Sequence, residues 1–95
     1  MPENQEVKRN CIIVNKHGLH TRSAAAIVAL ACQFQCKMKL ITQKGESDTQ
    51  DMLRLMLLEA SKGTEIIVSA TGIDAVEAVD SMATFINAGF DELDE

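Results

Sequence analysis

Two residues whose types and spacing could do chemistry stand close together in the segment Gly18-Leu19-His20-Thr21-Arg22-Ser23-Ala24. His20 falls where a polar loop, Asn15-Lys16-His17-Gly18, gives way to an alanine-rich stretch with helical spacing. The first backbone N–H groups of a helix have no intrahelical partner. Together with the macrodipole they make an anion site at that end. A phosphoryl group on His20 would be cradled there, and the same positive end favours the neutral, nucleophilic imidazole. Arg22, two residues on, can meet phosphate oxygens with its planar fork. A lone histidine at a helix start is nevertheless more often a cap than a nucleophile, so the residues alone leave both readings open. His17 lies three residues before His20 and could donate to the phosphate or simply face water. His17 and His20 also form H-x-x-H, but no third and fourth ligands stand nearby, so no metal is expected.

The elements that must position these residues follow from periodicity. Cys11 to Val14 is a β-branched run, read as a first strand ending in the polar loop. Ala24, Ile27, Val28, Ala31 and Phe34 recur at the spacing of one helix face, which predicts a helix over 21–34. Cys36 to Thr42 alternates, with Met38 and Leu40 on one side and Lys37 and Lys39 on the other, and Lys44-Gly45 turns it into a short polar third strand. Asp51 is a good N-cap for a second helix, Met52 to Ala60, closed by Lys62-Gly63. Glu65 to Ala70 reads as a buried strand. The last helix, Asp74 to Ala88, is expected to bury Val76, Val79, Ala83 and Ile86, expose Glu77, Asp80, Thr84 and Asn87, and stop at Gly89. The order βαββαβα fits an α+β fold, a four-stranded antiparallel sheet with three helices on one face.

Both leading helices carry more apolar surface than a core can use. The outward stripe of the first holds Arg22, Ala25, Ala29 and Cys32, and the second is apolar almost all round, with Met52, Leu53, Leu55, Met56, Leu57 and Leu58 broken only by Arg54 and Glu59. A docking face for a protein partner is expected there.

Composition narrows the function further. The 95 residues are 46% hydrophobic and 24% charged, enough for one domain, residues 1–95, that buries roughly 60–65% of its unfolded surface. So short a chain has no room for a cleft with its own nucleotide site. The net charge is −5, four of the 14 acidic residues are Asp91, Glu92, Asp94 and Glu95 at the end of the sequence, and the only aromatics are three Phe. Nucleic-acid binding is therefore not expected. Residues 1–6 and 91–95 are expected to be flexible ends. The polar segment Met1 to Asn10 lacks the apolar run of a secretory signal, and no stretch approaches the ~20 apolar residues of a membrane span, so a cytoplasmic location without membrane insertion is expected. Cys11, Cys32 and Cys36 are read as reduced thiols, small buried hydrophobes before redox sensors or ligands.

From Cys11 to Phe90 the chain resembles HPr, the histidine-containing phosphocarrier of the phosphoenolpyruvate:sugar phosphotransferase system, and its nitrogen-related sister. The anchor is Gly18-Leu19-His20-Thr21-Arg22, which matches the family's Gly-Leu-His-Ala/Thr-Arg-Pro signature. Ala60-Ser61-Lys62-Gly63-Thr64-Glu65-Ile66 follows at the family spacing, and Phe85-Ile86-Asn87-Ala88-Gly89-Phe90-Asp91 resembles the nitrogen-related branch. The resemblance implies an open-faced β-sandwich, phosphorylation of His20 Nδ1 by enzyme I, stabilisation by Arg22, and transfer to enzyme IIA proteins. Thr21 and Ser23 would help hold the phosphate. The partners would dock on Ala25, Ala29, Met52, Leu53, Arg54 and Met56. No cofactor is needed, and the chain is expected to be a monomer and a relay carrier rather than a stand-alone turnover enzyme. The alternative is a regulatory binding module in which phosphate on His20 acts only as a switch.

The sequence departs from the family at several places. Ser23 replaces the signature proline, giving up a pre-set backbone but supplying an N–H and a hydroxyl near the phosphate position. Asp51 replaces the serine that many relatives present to a regulatory HPr kinase. It cannot accept that phosphate, and it either mimics it in part or is an ordinary N-cap. The family's lysines along the first helix are replaced by Ala29 and Cys32. The family's C-terminal carboxylates lie near the arginine, where they could compete with phosphate for Arg22.

Overall fold

The computed structural model describes residues 5–91. Its elements are β1 (Glu6–Ile12), α1 (Thr21–Ala31), β2 (Lys37–Thr42), β3 (Gly45–Asp48), α2 (Met52–Leu57), β4 (Glu65–Thr71) and α3 (Ala75–Asn87), followed by a single 3-10 turn, Gly89–Asp91. The four strands form one antiparallel sheet in the order β1-β4-β2-β3. The three helices cover one face of it, which is the α+β arrangement expected from the pattern and the open-faced sandwich that the resemblance implies.

Period-two alternation sets the sheet. Cys11 pairs with Ile66 and Val7 with Ala70 on the helix side, while Lys8 opposite Ser69 and Asn10 opposite Ile67 face away. The strand therefore begins five residues before the expected Cys11. An edge strand with one solvated face needs few apolar residues, and Glu6 to Asn10 supply only Val7 to the core side. Glu6, expected in a flexible end, is the first residue of this strand, and its carboxylate accepts a hydrogen bond from the buried Ser69 hydroxyl. Of the other expected flexible ends, 1–4 and 92–95 lie outside the described residues. So does most of the acidic tail considered as a competitor for Arg22. Ile13 leaves the regular ladder but keeps it going irregularly, donating to the Thr64 carbonyl and accepting from Gly63.

Both helices on the site side end earlier than expected, and for the same reason. At α1 the amides of Gln33 and Phe34 bond three residues back, to Leu30 and Ala31, so the last turn tightens and the helix stops at Ala31. At α2 the amides of Leu58 and Glu59 do likewise, and Glu59 then takes a left-handed φ of 52°. The helix thus ends at Leu57 instead of Ala60. Beyond this turn the Ala60 carbonyl accepts from the Leu19 amide at 2.8 Å, a tie between the α2–β4 connection and the site loop.

α3 packs chiefly on β1 and β4. Arg9 Nε meets Asp80 Oδ1 at 2.8 Å, and Asn87 Oδ1 accepts the Ile12 amide at 3.0 Å. Its buried stripe is Ala75, Ala78, Val79, Met82, Ala83 and Ile86. Val76, expected in the core, is 55% exposed. The small Ala75 and Ala78 let the helix approach the sheet on their side, which rotates the stripe and leaves Val76 beside it. The core centres on Ile13, Ile27, Leu40, Leu55, Ile66 and Met82, all fully buried.

Candidate functional site

The loop that delivers His20 is held at every residue that matters. Gly18 has φ +61°, and a Cβ there would overlap the Ala60 carbonyl oxygen. Only glycine both adopts this turn cheaply and lets the α2–β4 connection come so close. The turn is closed by the Gly18 amide on the Asn15 carbonyl at 3.3 Å and by Asn15 Nδ2 on the Gly18 carbonyl at 3.0 Å. Leu19 is buried and tethered to Ala60. The chain arrives at His20 extended, φ −133° and ψ −174°, and His20 is the N-cap of α1, its carbonyl accepting the Ala24 amide at 2.8 Å.

His20 and Ser23 make a reciprocal capping box. The His20 side chain accepts from the Ser23 backbone N–H, and Ser23 Oγ accepts from the His20 N–H at 2.9 Å. No acidic residue stands in the first turn of α1. His17, His20, Thr21, Arg22 and Ala25 line one shallow, open depression at this helix start. His17 and His20 meet edge to face, with ring centroids 5.8 Å apart. His20 is half-buried, while His17, Thr21 and Arg22 are exposed. A half-buried imidazole ring, a guanidinium two residues on and a first helical turn that holds no acidic residue can together accept and hold a phosphoryl anion.

Ser23 differs from its expected placing. Its hydroxyl is fully buried and turned inward, 2.9 Å from the Gly18 carbonyl and 3.2 Å from the His20 carbonyl, away from the depression. The residues that position the loop, Asn15, Leu19 and Ala60, were not singled out from sequence. An Asn followed three residues later by Gly is a turn signal that could have marked the first. The bond from Leu19 to Ala60 spans some forty residues and leaves no local signal.

The expected docking residues separate into two grades of exposure. Ala25 and Ala29 are exposed on α1, Met52 and Met56 are half-buried on α2, and Leu53 is 69% exposed. Leu57, 63% exposed, belongs with them. α1 and α2 pack against each other. Arg54 donates through Nε to the Glu46 carbonyl at 3.2 Å, and Asp51 caps α2 by accepting the Arg54 amide at 3.0 Å. All three cysteines are free thiols. Cys11 is a core residue whose thiol burial pushes up to about 12, and Cys36 is raised to about 11 by burial and by Asp74 beside it. Cys32 is no buried hydrophobe: it is exposed at the C-cap of α1, with Sγ 3.4 Å from Gln50 Oε1.

Residues 7–88 match the family model described as the PTS HPr component phosphorylation site. Among curated relatives, the phosphocarrier protein NPr of Escherichia coli is 34% identical over 90% of this chain and 97% of its own, and the phosphocarrier protein HPr of Pseudomonas aeruginosa 35% over 84% and 90%. Among solved structures, HPr of Bacillus anthracis superposes with a TM-score of 0.82 at 25% identity, covering 87% of this chain and 99% of that one. HPr of Thermoanaerobacter tengcongensis gives 0.79 at 30% identity over 90% and 94%. The chain belongs to the HPr family of phosphotransferase-system phosphocarriers. Among the described residues no helix is long and apolar enough to cross a membrane.

Proposed function

We propose that this chain accepts a phosphoryl group on His20 Nδ1 from phospho-enzyme I and passes it to a histidine of enzyme IIA proteins, as a monomer in the cytoplasm. The observation that carries the reading is the placing of His20 as the N-cap of a helix whose first turn holds Arg22 and no acid. In the forward step the ring nitrogen's lone pair attacks phosphorus as the donor's P–N bond breaks. The bonding pair returns to the donor imidazole, which takes up a proton, while the proton on the far nitrogen of His20 is released. The three phosphoryl oxygens then lie against the first-turn N–H groups of Thr21 and Arg22 and the Arg22 guanidinium, which stabilise charge without forming a bond. Transfer onward is the same step reversed at the next histidine.

Enzyme I and enzyme IIA dock on Ala25 and Ala29 of α1 and on Met52, Leu53, Arg54 and Met56 of α2. The exposure of Leu53 and Leu57 supports this face, since two such leucines side by side on a six-residue helix have no use in a solvated surface. His17 lines the same depression, which supports a contact between its ring and the phosphoryl group. Asp51 serves as a cap, and regulators of the HPr-kinase type would find no hydroxyl there.

The test is intact mass after incubation with phosphoenolpyruvate, Mg²⁺ and the cognate enzyme I, with His20→Ala alongside. One acid-labile phosphoryl group that is absent from the variant and passes to an enzyme IIA supports the carrier. A folded chain that binds enzyme I yet takes no label overturns it in favour of the regulatory module.

A further inference from the structure

Where the family signature has proline, this chain has Ser23, and its surroundings give that residue a task. The side chain is 0% exposed, so its hydroxyl must be satisfied within the protein. One hydroxyl proton and two lone pairs are available. The oxygen accepts the His20 N–H at 2.9 Å and donates to the Gly18 carbonyl at 2.9 Å, the His20 carbonyl at 3.2 Å being the longer option. The Gly18 carbonyl also receives Asn15 Nδ2 at 3.0 Å. One oxygen atom therefore ties both ends of the loop that carries the nucleophile to the first turn of α1. The backbone of the same residue supplies a second tie, because the Ser23 N–H donates to the His20 side chain. A ring nitrogen can accept that bond only through its lone pair, so the bond selects the tautomer in which that nitrogen bears no proton. With that nitrogen as the acceptor Nδ1, the amide is released as the same lone pair attacks phosphorus. A proline at 23 would have neither the hydroxyl nor the N–H.

We propose that Ser23 is a positioning residue for phosphoryl transfer, holding the backbone of His20 through its hydroxyl and the tautomer of the His20 ring through its amide. The inference rests on His20 being the phosphoryl acceptor. The two ties are separable by substitution. Ser23→Ala deletes the hydroxyl and keeps the amide, Ser23→Pro deletes both, and Ser23→Thr keeps both.

The experiment uses the full chain and two readouts. Inorganic phosphoramidate phosphorylates imidazole with release of ammonia, so the rate of His20 labelling is measurable without any partner protein. Long-range ¹H–¹⁵N correlation spectra report which ring nitrogen carries the proton, and amide spectra verify that each variant is folded. Ser23→Ala is expected to slow labelling by both phosphoramidate and phospho-enzyme I about tenfold, the worth of one well-made hydrogen bond, while leaving the ring tautomer unchanged. Ser23→Thr restores the rate. Ser23→Pro turns the single tautomer into a mixture. A residue that merely packed would produce no such division. Labelling of Ser23→Ala at the rate of the unaltered chain, or a single tautomer surviving in Ser23→Pro, overturns the inference. The readouts also fail independently of the carrier reading. Labelling by phosphoramidate that depends on Ser23, with none by phospho-enzyme I, sinks the carrier and leaves Ser23 its role. Labelling by enzyme I that ignores Ser23 does the reverse.

Discussion

The starts of α1 and α3 solve the same problem in opposite ways. At α3 the N-cap is Asp74, and its carboxylate reaches out of the helix to accept the amides of Gln35 at 2.9 Å and Cys36 at 3.0 Å. These bonds, that of Gln35 foremost, hold the Asp74 carboxyl below its ordinary value of 3.8. Glu77 adds a second acid in the first turn. The positive end of α3 is thus answered by the protein's own charge, and the result is a clamp on the α1–β2 connection. At α1 the N-cap is a histidine, which carries no negative charge in any protonation state, and the first turn holds Arg22 instead of an acid. A helix end with its anion built in is structural. The start of α1 instead holds Arg22 and no acid in its first turn, and that contrast is what the proposed phosphoryl site rests on.

The strongest way to break this contrast is to give α1 the acid that α3 has. Arg22→Glu places a carboxylate in the first turn, where it favours the helix dipole but repels an incoming phosphoryl group. Labelling by phospho-enzyme I should fall about a hundredfold or more, since both a stabilising charge is lost and a repelling one gained. Thermal unfolding followed by circular dichroism should not move downwards. A variant that labels within tenfold of the unaltered chain would show that the charge of this helix end does not govern the site.

Gly18→Ala attacks the loop rather than the charge. At φ +61° the new Cβ meets the Ala60 carbonyl, so the α2–β4 connection or the His20 loop must move. A loss of about 2 kcal/mol is expected in a denaturant titration, with slower labelling of what remains folded. Unchanged stability would mean that the Ala60 contact yields freely and that the loop is not pinned.

On the other side of the comparison, Asp74→Asn weakens the α3 clamp and leaves the site untouched. Its melting temperature should fall below that of the unaltered chain at pH 7 while labelling stays within about twofold, far less than the tenfold worth of a directly bonded group. The sign with pH follows from the lowered carboxyl. A depressed folded value stabilises above the unfolded one and is lost as pH falls through the folded value. The gap between the two proteins should therefore be full at neutral pH and close as the solution is acidified below 3.8. A gap that widens in acid would overturn this account of Asp74.

How much of this could be seen in the sequence depends on the distance over which each feature is decided. Ala24, Ile27 and Ala31 announced the inner face of α1 and Arg22, Ala25 and Ala29 its outer one, because a helix writes its burial at a fixed period. His20 and Arg22 at a loop-to-helix boundary were legible for the same local reason. The polar half of β1 was not, since an edge strand is made by its partner, β4, more than by its own side chains. The early end of α2 goes with the Ala60 carbonyl bonding to Leu19, and the inward turn of the Ser23 hydroxyl depends on where the Gly18 carbonyl lies. Both are settled by tertiary geometry. Val76 was misplaced because a helix period fixes the spacing of a stripe but not which of two neighbouring positions the sheet will accept.

The smallest effect expected is one of reactivity, and it sharpens the contrast through the thiols that mark three environments. Cys32 is exposed at the far end of α1, Cys36 lies against the Asp74 carboxylate, and Cys11 is sealed beneath α3. Only the thiolate is alkylated, and a thiol raised to about 11 supplies roughly one part in a thousand of it at pH 8. Iodoacetamide should therefore modify Cys32 first and Cys36 far more slowly. Cys11, pushed up to about 12 and buried, should react only as fast as the domain opens. Because Asp74 contributes to the shift at Cys36 behind burial, Asp74→Asn should speed that thiol about two- to threefold and leave the other two alone. If all three cysteines slow or quicken together, the substitution has loosened the whole domain. In that case the carboxylate at the start of α3 does more than clamp one connection.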